Sequence, residues 1–116
     1  MKILVVEDNL DIKELLDYIL GDDGHEMVSC LDGSLLTDLD RIEPDVILLD
    51  DKLASVWGSD LCIRLKTDHK TKNIPVILMS AMPNLPEIAR NCLADAYLEK
   101  PFDIDAITGL IRNFHK

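Results

Sequence analysis

Several apolar stretches of this sequence end in groups capable of ionic chemistry. Ile3-Leu4-Val5-Val6 runs into Glu7-Asp8, Val46-Ile47-Leu48-Leu49 into Asp50-Asp51, Pro75 through Met79 into Ser80, and Ala96-Tyr97-Leu98 towards Lys100. Carboxylates gathered at one rim repel each other unless a cation lies between them. An oxygen-only ligand set with room for water suits a hard divalent ion, and magnesium fits it best. Lys100 adds a point positive charge, and Ser80 a short, rotatable hydroxyl donor. An aspartate in that company can attack phosphorus and carry the phosphoryl group. Such chemistry needs mainly positioning and charge neutralisation, which these residue types supply.

The side chains converge only if the apolar stretches lie side by side. Short β-branched runs read as strands buried on both faces. Between them, apolar residues recur at helical spacing. Ile12, Leu15, Leu16, Ile19 and Leu20 form one stripe, begun near the cap candidate Asn9 and ended by Gly21 or Gly24. A weaker strand follows at His25–Cys30. Leu35, Leu36, Leu39 and Ile42 predict a second helix, stopped by Pro44. A loop with Ala54, Trp57 and Gly58 leads to a helix with Leu61, Cys62 and Leu65 inward. A short helix is expected over Glu87–Leu93, and a last one from the cap Asp103 through Ile104, Ile107, Leu110, Ile111 and Phe114. The order is strand then helix, five times over. That pattern predicts an α/β, doubly wound, flavodoxin-like (βα)5 domain over residues 1–116, with a five-stranded parallel sheet and helices on both faces. In such sheets ligands bind beyond the carboxyl ends of the strands, where the acidic, hydroxyl and amine groups all fall.

Composition narrows the function further. The chain of 116 residues carries a formal net charge of −10, which argues against nucleic acid or an anionic membrane as partner. With 47% hydrophobic but only 4% aromatic residues, the core must be aliphatic. Cys30, Cys62 and Cys92 are far apart with no CxxC pair, so neither a disulfide framework nor a zinc site is expected. His25, His69 and His115 lack ligand spacing and receive no role. No signal-peptide core or transmembrane stretch is visible, and a cytoplasmic location is expected.

At this point the sequence resembles the receiver domain of bacterial response regulators, along essentially its whole length. KILVVEDN is similar to that family's first strand and acid pair, and PDVILLD to its phosphoacceptor strand. VILMSA places Ser80 at the hydroxyl position and AYLEKPF places Lys100 at the lysine position; Gly58 falls at the usual loop glycine. The resemblance implies that Asp50 takes a phosphoryl group from a histidine kinase or a histidine phosphotransfer protein, in a magnesium-dependent reaction. It implies magnesium held by Asp8 and Asp50 directly, by Glu7 through water, and by the backbone carbonyl of Lys52. It also implies that Ser80 swings to the phosphoryl oxygens with Tyr97 changing rotamer, which reshapes a surface for a downstream protein. The Lys100-Pro101 bond is often cis in such domains. Self-catalysed phosphorylation and dephosphorylation is the only catalysis expected, so the chain is not read as an enzyme.

Some positions depart from that pattern. Asp51 stands where a hydrophobic residue usually follows the acceptor, leaving two adjacent candidates of which Asp50 is preferred. Ala54 replaces the customary proline, Trp57 stands where an acid is common, and Leu93 replaces a glycine. The Ser80–Lys100 stretch is also short. These departures keep open a phosphorylation-independent, receiver-like scaffold. A magnesium-dependent phosphohydrolase is a third class, disfavoured because no nucleophile near the N-terminus and no cap segment are present.

Overall fold

The computed structural model describes residues 1–114; His115 lies outside the described residues. Five strands form one sheet: β1 (Lys2–Val6), β2 (Glu26–Cys30), β3 (Val46–Asp50), β4 (Val76–Ser80) and β5 (Ala96–Glu99). Their order is β2-β1-β3-β4-β5, and every pairing is parallel. The helices are α1 (Leu10–Asp22), α2 (Leu39–Ile42), α3 (Gly58–Thr67), α4 (Leu85–Asn91) and α5 (Ile104–Arg112).

The period-2 alternation of the central strands divides the core in two. Ile3, Val5, Val46, Leu48, Ile77 and Met79 pack against Leu16, Ile19 and Leu20 of α1 and Ile107 and Ile111 of α5. Leu4, Val6, Ile47, Leu49, Val76 and Leu78 pack against Leu39 of α2, Cys62 and Leu65 of α3, and Leu85 and Ala89 of α4. Both faces are therefore covered, as strands apolar on both sides require. All three cysteines are free, with Cys62 and Cys92 buried in the second of these clusters and Cys30 half-buried.

Local signals account for most element ends. The Asn9 side chain accepts the Ile12 N–H at 3.1 Å to begin α1. The helix runs through Gly21 and stops at Gly24, whose φ of 93° suits glycine; the Gly24 and His25 amides return to the Gly21 and Leu20 carbonyls. Asp103 caps α5 by accepting the Ala106 N–H at 2.7 Å.

The second helix departs from expectation. Instead of one continuous helix, Ser34–Thr37 forms a 3-10 turn, followed by the single turn of α2. The Thr37 hydroxyl bonds back to the Ser34 carbonyl at 2.9 Å, and the Asp38 amide bonds Leu35 three residues back. Such local bonds compete with the helical ladder. The apolar stripe is nevertheless used, because Leu35 and Leu36 pack against the core beside the buried Leu39. The fourth helix begins two residues earlier than its periodicity indicates. Pro86 sits in its first turn, where a missing N–H breaks no helical bond. Leu93 ends it at φ 67°, with Leu93 and Ala94 amides returning to the Arg90 and Ala89 carbonyls. A leucine thus occupies the left-handed position that glycine fills at the end of α1.

Candidate functional site

The strand order reverses between β1 and β3, and the chemistry collects beyond the carboxyl ends of those strands. Glu7 and Asp8 follow β1, Asp50 closes β3, Ser80 closes β4, and Lys100 follows β5. A cleft of about 340 Å³ is lined by Glu7, Asp8, Asp50, Lys52, Ser80 and Lys100. One carboxylate oxygen from each of Glu7, Asp8 and Asp50 lies within 4.8 Å of the others. Six residues named from the sequence thus share one pocket.

Lys100 ties the pocket together. Its Nζ donates to Glu7 Oε2 at 2.8 Å and to Asp50 Oδ1 at 2.8 Å. Burial pushes the Asp50 carboxyl up to about 6; the Lys100 hydrogen bond opposes this, and the Glu7 and Asp8 charges add to it. Burial alone lowers the Lys100 pKa, but the hydrogen bonds to Asp50 and Glu7 outweigh it and the net shift is upward. One cation among three carboxylates leaves excess negative charge, which favours protonation of acid and amine alike.

That excess bears on a metal. The three carboxylates offer oxygen ligands close enough to share one small, hard cation, and the set fits magnesium. Glu7 already uses Oε1 to accept the Asn9 N–H at 3.2 Å and Oε2 to accept from Lys100. It is therefore better placed to reach a cation through water than directly. Asp8 is exposed at the mouth, and Lys52 lines the same cleft.

Two features were not visible in the sequence. The Ser80 Oγ accepts the Met82 N–H at 3.0 Å, which holds its oxygen while leaving its proton to donate. The Ser-x-Met spacing alone does not announce that turn. Asp51 is buried but belongs to a different site, accepting the Ser59 N–H at 2.9 Å at the start of α3. Its partner could have been suspected from the N-terminal position of the helix that follows. Gly58 explains itself: a Cβ there would collide with the Asp50 backbone carbonyl. Tyr97 is not part of the cleft; it lies on β5, partly exposed. The Lys100-Pro101 peptide is cis. His25, given no role, sits near the amino terminus and Asp23, away from the cleft.

Residues 3–112 match the family described as the response regulator receiver domain. The chain belongs to this family. Among relatives, it is 32% identical to sporulation initiation phosphotransferase F of Bacillus subtilis, covering 97% of this chain and 92% of that protein. It is also 32% identical to the DNA-binding dual master transcriptional regulator RpaA of Synechocystis, over 96% of this chain but 47% of the regulator. The chain thus spans about half the length of that relative. A putative response regulator from Chloroflexus aurantiacus has the same fold, with a TM-score of 0.90 at 25% identity, over 97% of this chain and 95% of that one. Among the described residues no helix is long and apolar enough to cross a membrane.

Proposed function

We propose that this receiver accepts a phosphoryl group on Asp50 from a histidine kinase or histidine phosphotransfer protein, in a magnesium-dependent reaction, and thereby switches a protein-interaction surface. The observation that carries the reading is the Lys100 ammonium shared between Glu7 and Asp50, with Asp8 and Ser80 on the same cleft.

In this reading Asp50 attacks phosphorus of a phosphohistidine. The phosphorus–nitrogen bond breaks, an aspartyl oxygen–phosphorus bond forms, and the imidazole leaves with a proton. Asp8, Asp50 and the Lys52 carbonyl, with Glu7 through water, would hold magnesium, which would supply charge neutralisation for the incoming phosphoryl oxygens. Lys100 holds Asp50 in place beforehand and afterwards pairs with the phosphoryl group. Ser80, its oxygen anchored by Met82, donates its proton to a phosphoryl oxygen. Electrostatic positioning of this kind supplies most of the rate enhancement in phosphoryl transfer. Movement of Ser80 and the exposed Tyr97 would relay the event to the β5 side of the domain. The domain catalyses only its own phosphorylation and dephosphorylation.

Incubation with acetyl phosphate or phosphoramidate and magnesium, followed by intact mass, tests this. One phosphoryl adduct is expected, lost on chelation and absent in Asp50→Asn. An adduct that persists in Asp50→Asn would move the acceptor elsewhere.

A further inference from the structure

Of the buried carboxylates among the described residues, Glu7 and Asp50 serve the proposed reaction and Asp51 does not. Burying an acid without donors is costly, so its partners indicate its use. Asp51 is tied to one segment twice, once through its carboxylate and once through its main chain. Its Oδ1 accepts the Ser59 N–H at 2.9 Å, and its main-chain carbonyl accepts the Gly58 N–H at 2.6 Å. Between those ties, Lys52 pairs with Trp57 in an antiparallel bridge. Residues 51–59 are thus a closed loop, fastened at its base by Asp51 and packed so closely there that Gly58 has no room for a Cβ against the Asp50 carbonyl. Lys52, the next residue after Asp51, lines the cation cleft.

Resting on the reading that the Lys52 carbonyl is a metal ligand, we infer that Asp51 is the positioning residue for that carbonyl. Its carboxylate, accepting the Ser59 N–H, pins the start of α3 to the end of β3. The loop is thereby ordered before a cation arrives, and no freedom need be lost on binding.

Magnesium titrations of wild type, Asp51→Asn and Asp51→Leu test the assignment, read by Trp57 emission and independently by the magnesium-dependent rise in melting temperature. They are run where circular dichroism shows each protein folded; Asp51→Ala replaces the leucine variant if that variant does not fold. Asparagine keeps an oxygen acceptor in place, whereas leucine and alanine remove it. The expected result is an affinity within about twofold of wild type for Asp51→Asn and about tenfold weaker for Asp51→Leu, the range seen when outer-shell supports of a metal ligand are lost. Unchanged affinity in Asp51→Leu overturns the inference, because the carbonyl is then placed without the anchor. Equal weakening in both variants also overturns it, because the charge and not the acceptor then matters. A wild-type protein indifferent to magnesium is a different result: it removes the metal site, and this inference with it.

Discussion

Asp50 and Asp51 are chain neighbours with the same side chain and nearly the same exposure, 4% and 2%. Strand alternation turns successive side chains to opposite sides, and the two carboxylates meet different surroundings. Asp50 faces other acids and one shared ammonium. The Asp51 carboxylate accepts one backbone amide, that of Ser59, at the head of α3. An acid among acids is destabilising at rest, whereas an acid that accepts a main-chain N–H gains a partner that offsets part of its burial. The difference lies in the donors and charges that converge on each position, and four substitutions would break or sharpen the contrast.

Lys100→Ala should have the largest effect. It leaves Glu7 and Asp50 buried without their cation, and urea unfolding in chelator should show a loss of about 3 kcal/mol, partly recovered by magnesium. A loss below roughly 0.5 kcal/mol would mean that the ammonium does not hold the pocket together.

Gly58→Ala acts where the two environments join. The new methyl must displace the Asp50 carbonyl or the start of α3, for an expected loss of about 2 kcal/mol. Near-neutral stability would show that the loop yields easily and does not fix either acid.

Asp51→Ala strips an acceptor from the Ser59 amide, and a loss of roughly 1–2 kcal/mol is expected, as for a removed helix cap. If this variant proved more stable than wild type, Asp51 would belong with Asp50 among the acids that burden the fold.

Asp50→Asn should have the smallest effect and the opposite sign. Burial holds the Asp50 pKa at about 6, above its ordinary 3.8, so between those values the folded state keeps a proton that the unfolded chain has released. Stability of the metal-free protein therefore falls as pH rises from about 4 through about 6. Asp50→Asn should flatten that fall and be more stable than wild type by about 1 kcal/mol at pH 7 without magnesium. Identical stability–pH curves for the two proteins would show that the pocket is relaxed at rest.

Legibility in the sequence tracked the range of the interaction. The buried strands were evident because Val46–Leu49 and Ile3–Val6 are apolar at successive positions, and α1 and α5 because their stripes and caps are local. The turn at Ser34–Thr37 was missed because Leu35, Leu36, Leu39 and Ile42 satisfy a helical period whether or not the backbone between them is continuous; the Thr37 hydroxyl and Asp38 amide decided otherwise. The start of α4 lies two residues before the expected Glu87 because its first turn accommodates Pro86, whose missing N–H has no helical partner there. Leu93 departs from the resembled pattern in the sequence, but only its φ of 67° shows that it fills a glycine's place.

The order and types of residues determined that five strands alternate with helices, and that acids, a hydroxyl and an amine must emerge at one edge of the sheet. Those facts follow from periodicity and strand polarity, which are local. Tertiary structure alone decided that Lys100 bridges Glu7 and Asp50, that Asp51 turns away to α3, and that Tyr97 stays outside the cleft. Distances between residues brought together by folding depend on packing and strand register, and no spacing along the chain encodes them.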